Sequence, residues 1–126
     1  MAKEAVKQIN DAIGSHALWL SKLQQAIRTG ATDVSAHLAC HPGSCTFGKW
    51  LDSDWFTPRQ KATFAFRAVR ELHKEFHQLA RDAISAIKRG DILNSEHKTA
   101  RDFLKAGDKF VIALRLWKRD IRTRGL

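Results

Sequence analysis

Three stretches of the chain repeat their apolar positions at alternating steps of three and four residues. The first runs over residues 4–29, with Val6, Ile9, Ile13, His16, Leu20, Leu23 and Ile27 in register. This is the period of an α-helix with one buried stripe. His16 is the only polar member of that stripe, so its side chain should point into the core. Gly30 supplies the stop, because glycine accepts the left-handed backbone at a helix C-terminus. The second stretch begins at Thr57-Pro58-Arg59-Gln60. Threonine caps, proline suits the first turn, and glutamine three positions on completes a capping box. The helix is expected to run to about Arg89, with Gly90 ending it. Its seam is Phe66, Val69, His73, Phe76, Ala80, Ala83 and Ile87. The third stretch occupies about 95–122. Ser95 is its candidate cap, and Ala100, Phe103, Leu104, Gly107, Val111, Leu114, Trp117 and Ile121 form its buried face. Gly107 costs roughly 1 kcal/mol in a helix interior relative to alanine, a cost that makes sense if a neighbouring helix packs close there.

Residues 31–56 are less regular. Pro42-Gly43 marks a turn. Ser44 can then cap a short helix from Cys45 to Leu51, with Phe47, Trp50 and Leu51 as its apolar contacts. No segment alternates like a strand, and no repeat or low-complexity tract is visible. The pattern predicts an all-α fold: an antiparallel four-helix bundle with an additional short helix carrying the cysteine, as one domain over residues 1–126.

Composition narrows the setting. The chain has 126 residues, enough for one hydrophobic core. It lacks an apolar run of about 18 residues, so no membrane insertion is expected. The first residues, MAKEAVKQIND, lack the apolar core of a secretory signal. Only two cysteines, Cys40 and Cys45, are present. A secreted domain built on disulfides would carry more, so a cytoplasmic location is expected. The net charge of +9 raises nucleic acid, an anionic membrane surface or an acidic protein as partners. Basic residues are densest near the end, at Arg115, Lys118, Arg119, Arg122 and Arg124, where a solvated helix face is the simpler reading. Trp19, Trp50, Trp55 and Trp117 read as packing groups rather than a stacking platform for bases.

The candidate chemistry lies where polar residues enter apolar seams. His73 and His77 are four apart, hence on one helix face, and such a pair can place two imidazoles on one metal ion. A lone buried histidine has a plainer reading as a satisfied core residue. So does a chance pair. Cys45 shifts the balance. It stands at the start of the short helix, where the backbone dipole favours a thiolate. Three imidazoles and one thiolate suit tetrahedral zinc, and the ion would offset the cost of burying these groups together. Cys40, with His37 and His41 nearby, offers a competing set of Cys40, Cys45, His73 and His77. That set would leave His16 buried without a partner, at a cost of roughly 1–3 kcal/mol. A Cys40–Cys45 disulfide after oxidation is a further alternative.

Cys45-Thr46-Phe47-Gly48-Lys49-Trp50-Leu51 resembles the Cys-x-Phe/Leu-Gly-x-Trp signature of the chemoreceptor zinc-binding (CZB) domain family. Ile13-Gly14-Ser15-His16 followed by Ala17-Leu18-Trp19-Leu20 resembles that family's first-helix histidine segment. His73-Lys74-Glu75-Phe76-His77 resembles its His-x-x-x-His. The resemblance spans about residues 5–122. Cys40, His37 and His41 are not part of the family's pattern. The first and last helices look most like the domain that precedes a cyclase, but no Gly-Gly-Asp-Glu-Phe run follows; a free-standing protein and a cut-out domain are both open.

The resemblance implies a zinc site made by His16, Cys45, His73 and His77, with Phe47, Gly48 and Trp50 packing around it and Cys45 as the redox-reactive group. It implies a homodimer, and a sensory or regulatory role that answers zinc availability or oxidation of the zinc-bound cysteine, for example by hypochlorous acid. The partner would be a bacterial signalling protein, in chemotaxis (a chemoreceptor) or in cyclic-di-GMP signalling (a diguanylate cyclase). An enzyme is not expected, since four protein ligands close a tetrahedral site and no acid or nucleophile constellation stands elsewhere. The alternative is a basic nucleic-acid-binding protein with a structural zinc, which would lack any recognised reader motif.

Overall fold

The computed structural model describes residues 2–29, 45–90 and 97–125. Among them are three long helices and two short ones, and no strand. We number them α1 (Ala2–Thr29), α2 (Thr46–Asp52), α3 (Pro58–Lys61), α4 (Phe64–Lys88) and α5 (Lys98–Arg124). The fold is an all-α bundle, as the seams predict. His37, Cys40 and His41 lie outside the described residues, as do Gly30, the Pro42-Gly43 turn, Ser44 and Ser95.

Pairwise contacts set the direction of each helix. Asn10 of α1 accepts a hydrogen bond from Lys118 of α5 at 2.9 Å. The ring of His16 lies 5.1 Å from that of Phe110, and Leu20 reaches Gly107. As numbers rise on α1 they fall on α5, so the two run antiparallel. Phe66 meets Trp117 and Phe76 meets Phe103, so α4 and α5 are also antiparallel. Helix α5 therefore lies against both other long helices, and its buried side is correspondingly rich: Phe103, Phe110, Leu114, Trp117 and Ile121 are all inside. Burying a side chain of that size stabilises by about 1.5–3 kcal/mol.

The α4 seam appears as expected, with Phe66, Val69, His73, Phe76, Ala80, Ala83 and Ile87 all buried. The α1 stripe is rotated from expectation. Ile9, His16, Leu23 and Ile27 are buried, but so are Ala5, Ala12 and Ala26, while Val6, Ile13 and Leu20 are half-buried. Helix α1 packs against two long helices, α4 and α5, as well as the short α2, and small alanines let the backbones approach on the side facing the long pair.

Two boundaries differ from the sequence reading. The helix expected from Thr57 to Arg89 is two helices. The Thr57 capping box forms, with Thr57 Oγ1 accepting from the Gln60 N–H at 3.1 Å and Gln60 Oε1 accepting from the Thr57 N–H at 2.7 Å. The helix it starts lasts one turn and buries no residue. Thr63 then donates its hydroxyl to the Gln60 carbonyl at 2.8 Å and accepts from the Phe66 N–H at 3.4 Å. A threonine that bonds the backbone on both sides competes with helix continuation and acts as a new N-cap. The break lets Phe56 pack on Phe66, with ring centroids 5.0 Å apart. The last helix is capped by His97, whose Nδ1 accepts from the Thr99 N–H at 3.2 Å, so it starts later than expected.

Gly107 is where side chains of both other long helices press on the α5 backbone. A Cβ there would stand 3.0 Å from Leu20 Cδ1 and 3.5 Å from Phe76 Cε1. The glycine admits α1 side chains to the α4–α5 interface, as its place in the seam suggests.

Candidate metal centre

Three elements bring one cluster together. The α1 stripe carries His16 inward; it is buried, as are His73 and His77 on α4. His16 and His73 meet on Phe110, with ring centroids 5.1 Å and 5.4 Å from it. The third contribution is Cys45. The structure places it one step before α2 rather than inside it: Cys45 is itself the N-cap, with Ser44 outside the described residues. Its Sγ accepts a hydrogen bond from the Gly48 N–H at 3.2 Å. Phe47, Gly48, Trp50 and Leu51 are buried and hold α2 to the bundle. At its far end Asp52 faces Arg70 of α4 at 3.4 Å, an exposed pair that adds little energy.

One potential ligand atom from each of His16, Cys45, His73 and His77 lies within 4.8 Å of all the others. Cys45 Sγ and His73 Nε2 stand 3.2 Å apart. Bonds of about 2.0–2.3 Å to tetrahedral zinc require donor separations of roughly 3.3–3.7 Å. The cluster is therefore near the required spacing. The donor chemistry agrees: three nitrogen bases and one sulfur form a set that zinc takes and calcium or magnesium does not. Among the described residues this is the one group of its kind.

The surroundings prepare these groups as ligands. His16 Nδ1 lies 2.8 Å from the Ala12 carbonyl. The carbonyl only accepts, so the proton is on Nδ1 and Nε2 keeps its lone pair. A second bond of this kind fixes tautomer and ring plane in metal-binding histidines generally. Burial pushes His16 down to about 4, against a smaller upward pull from the Ala12 carbonyl and a further downward push from His77. Burial likewise pushes His73 down to about 2, helped by the neighbouring His77 and His16. Both imidazoles are neutral at physiological pH, which is the form that ligates.

Cys45 behaves differently from the sequence expectation. The helix start does favour its thiolate, through the Gly48 and Phe47 N–H groups and Lys49, but burial outweighs them and the thiol is raised above its ordinary value. Without a cation the sulfur stays protonated at neutral pH. A metal ion would reverse that, since coordination deprotonates a thiol outright.

A ring of aromatic groups encloses the cluster. Phe47 lies 5.3 Å from His73, and Phe76 lies 5.5 Å from His16, centroid to centroid. Phe110 touches both histidines from the opposite helix. Sequence reasoning placed Val111 in the seam and missed Phe110. The strict series Phe103, Gly107, Phe110, Leu114, Trp117, Ile121 keeps the alternating step and would have found it. On the solvent side a cleft of about 530 Å³ reaches the cluster, lined by Asp11, Ser15, Trp19 and Thr46 together with His16, Cys45 and His77. Cys45 is only partly buried, so small solutes in the cleft can reach its sulfur.

No curated protein and no solved structure matches the chain. A family model described as the chemoreceptor zinc-binding domain matches residues 16–84. That span opens on His16 and includes Cys45, His73 and His77, so the histidine-rich stripe, the cysteine-capped helix and the paired imidazoles of α4 all fall inside it. The match covers more than half of the 126 residues, and the chain belongs to the chemoreceptor zinc-binding domain family.

Proposed function

We propose that this protein binds one zinc ion through His16, Cys45, His73 and His77 and uses it in sensing or regulation rather than catalysis. The observation that carries the reading is the convergence of these four donors, from three separate segments, within 4.8 Å of one another. The family match supports the choice of metal. Bound there, zinc would act as a structural tie and keep Cys45 as a thiolate. Four protein donors fill a tetrahedral shell and leave no place for substrate, which supports a regulatory role.

The chain's own residues suggest how the site signals. Cys45 caps the short helix α2, while His16, His73 and His77 sit on long helices with large cores. Loss of the sulfur contact would therefore loosen the start of α2, while Phe47, Trp50 and Leu51 stay packed, and leave the long helices in place. Hypochlorous acid reaching Cys45 through the cleft would convert thiolate to sulfenic acid and release chloride. Zinc withdrawal acts on the same contact. The output would be a change at a dimer interface or partner surface, read by a chemotaxis or cyclic-di-GMP protein. A cytoplasmic location belongs to this reading; among the described residues no helix is long and apolar enough to cross a membrane.

The test is metal analysis and oxidation of the purified protein. The parent should carry one zinc per chain, and stoichiometric hypochlorous acid should modify Cys45 first and shift the amide signals of α2. Modification elsewhere, with α2 signals unchanged, would overturn the sensing part.

A further inference from the structure

The start of α4 and the end of α5 form a second concavity, away from the cluster of histidines. It measures about 380 Å³ and is lined by Phe64, Ala65, Ala68, Ala113, Leu116 and Trp117, with Arg119, Asp120, Thr123 and Arg124 along one side. None of these residues belongs to the candidate metal centre. Phe64 is 87% exposed and Leu116 is 51% exposed. One turn before Leu116, Ile112 is 55% exposed. Large apolar side chains this open, grouped about a groove, mark an interaction surface. The floor is alanine from both helices, so a third helix can approach closely.

Charge selects the occupant. Arg119 and Arg124 border the groove, and Asp120, the single acid there, already faces Arg124 at 3.2 Å. Arg67 and Arg115 flank it along the two helices and are exposed. A second copy that met this groove with the same face would set Arg119 and Arg124 against another basic rim. An acidic partner meets attraction instead. The concave shape suits a helix laid lengthwise, with apolar anchors at i, i+3, i+4 and i+7. A flat lipid surface would leave the alanine floor unfilled.

We propose that the α4–α5 groove docks an amphipathic, acidic α-helix of a protein partner. Leucine-type anchors fill the space between Phe64 and Leu116, and carboxylates on the flanks face Arg119 and its basic neighbours. Trp117 lines the groove and also stacks near Trp50 of α2, with centroids 5.9 Å apart, so it reports occupancy. The inference goes beyond the metal reading and stands without it, because the lining comes wholly from α4 and α5.

The experiment titrates the full chain with a synthetic amphipathic helix of about 18 residues, or five turns, carrying leucine anchors and glutamate flanks. A control peptide carries lysine in place of glutamate. Tryptophan fluorescence and calorimetry read binding. The glutamate peptide should bind, weaken with salt, and lose about tenfold or more in affinity in Phe64→Glu and in Leu116→Glu. Arg119→Glu, a change at an exposed site that leaves the fold intact by circular dichroism, should weaken the glutamate peptide and not the lysine one. Equal binding of the two peptides, or no loss in any variant, overturns the proposal. So does sedimentation showing a dimer of this chain that Phe64→Glu dissociates. Parent binding to phosphatidylserine vesicles that Phe64→Glu abolishes, with no competition from the glutamate peptide, overturns it as well.

Discussion

The sulfur of Cys45 stands 3.2 Å from Nε2 of His73, although 28 residues separate them along the chain. Burial disfavours the ionised form of each, so in the metal-free protein the thiol can donate a hydrogen bond to the neutral imidazole, and a shared cation would take the place of that proton. Loss of this contact is the most local perturbation available. Cys45→Ser should lower zinc affinity by about 100-fold or more, since the total of roughly 10–16 kcal/mol for such sites is divided among four ligands. The long helices should persist, because their cores do not include Cys45. Competition with a chromophoric chelator measures the affinity and circular dichroism checks the helices. Unchanged affinity would remove Cys45 from the ligand set.

Proton release follows from the same environments. His16 and His73 are pushed to about 4 and about 2, so both are already neutral at pH 7.4. Cys45 is raised and holds its proton there. Of these three, only the thiol has a proton to lose on binding metal. Calorimetry in buffers of different ionisation enthalpy should therefore give about one proton released per zinc. A value near zero would mean the sulfur does not ligate.

The metal-free protein should lose stability in mild acid. Both folded-state values lie below the ordinary 6.5. Between the folded and unfolded values the unfolded chain binds more protons, so stability falls as pH falls. The loss starts near pH 6.5, continues down to about 4 for His16 and further for His73, and reaches up to about 1.4 kcal/mol per pH unit for each histidine. Above neutrality both states are unprotonated and the effect vanishes. Urea unfolding of the chelated protein at pH 7 and pH 5.5 should show a drop of roughly 2 kcal/mol. A flat profile would place the two rings in water.

Gly107 gives a prediction independent of metal. In Gly107→Ala the new Cβ presses on the far end of Leu20, at 3.0 Å, and makes an ordinary contact with Phe76 at 3.5 Å. That side chain is half-buried and can turn aside, while the helix improves by about 1 kcal/mol. The net change should be within about 1 kcal/mol. Gly107→Ile carries its branches into Leu20 and toward Phe76 and should cost roughly 1–3 kcal/mol. Thermal unfolding of the two variants separates the cases; equal stability would mean the helices stand farther apart.

What the sequence made legible follows what periodicity can carry. The α4 seam and His73 were visible because three-and-four spacing survives wherever one face meets a broad core. His16 was visible as the polar break in such a spacing. Residues that depend on two neighbours were harder. Ala5, Ala12 and Ala26 are buried because α1 touches both α4 and α5, and no single stripe encodes that. The α3–α4 break at Thr63 was missed because a threonine inside a helical pattern reveals its capping role only through its backbone partners, Gln60 and Phe66. At Cys45 the helix start was legible, but the stronger effect of burial on its thiol depends on Phe47 and α4 closing over it. The alternative set containing Cys40, and the roles of His37 and His41, fall outside the described residues.

Chelation tests how far the fold relies on the ion. The cores of α1, α4 and α5 are large and aromatic, so the metal-free protein should keep most of its helical ellipticity and melt at a lower temperature. Full unfolding on chelation would show that the bundle cannot stand without the tie.

The most direct measurement is zinc-edge X-ray absorption on protein purified without chelators, paired with its metal content. One zinc per chain is expected, with three nitrogen neighbours at about 2.0–2.1 Å and one sulfur at about 2.3 Å. The sulfur should vanish from the spectrum in Cys45→Ser. Protein free of zinc, or zinc bound with no sulfur neighbour, would contradict the account.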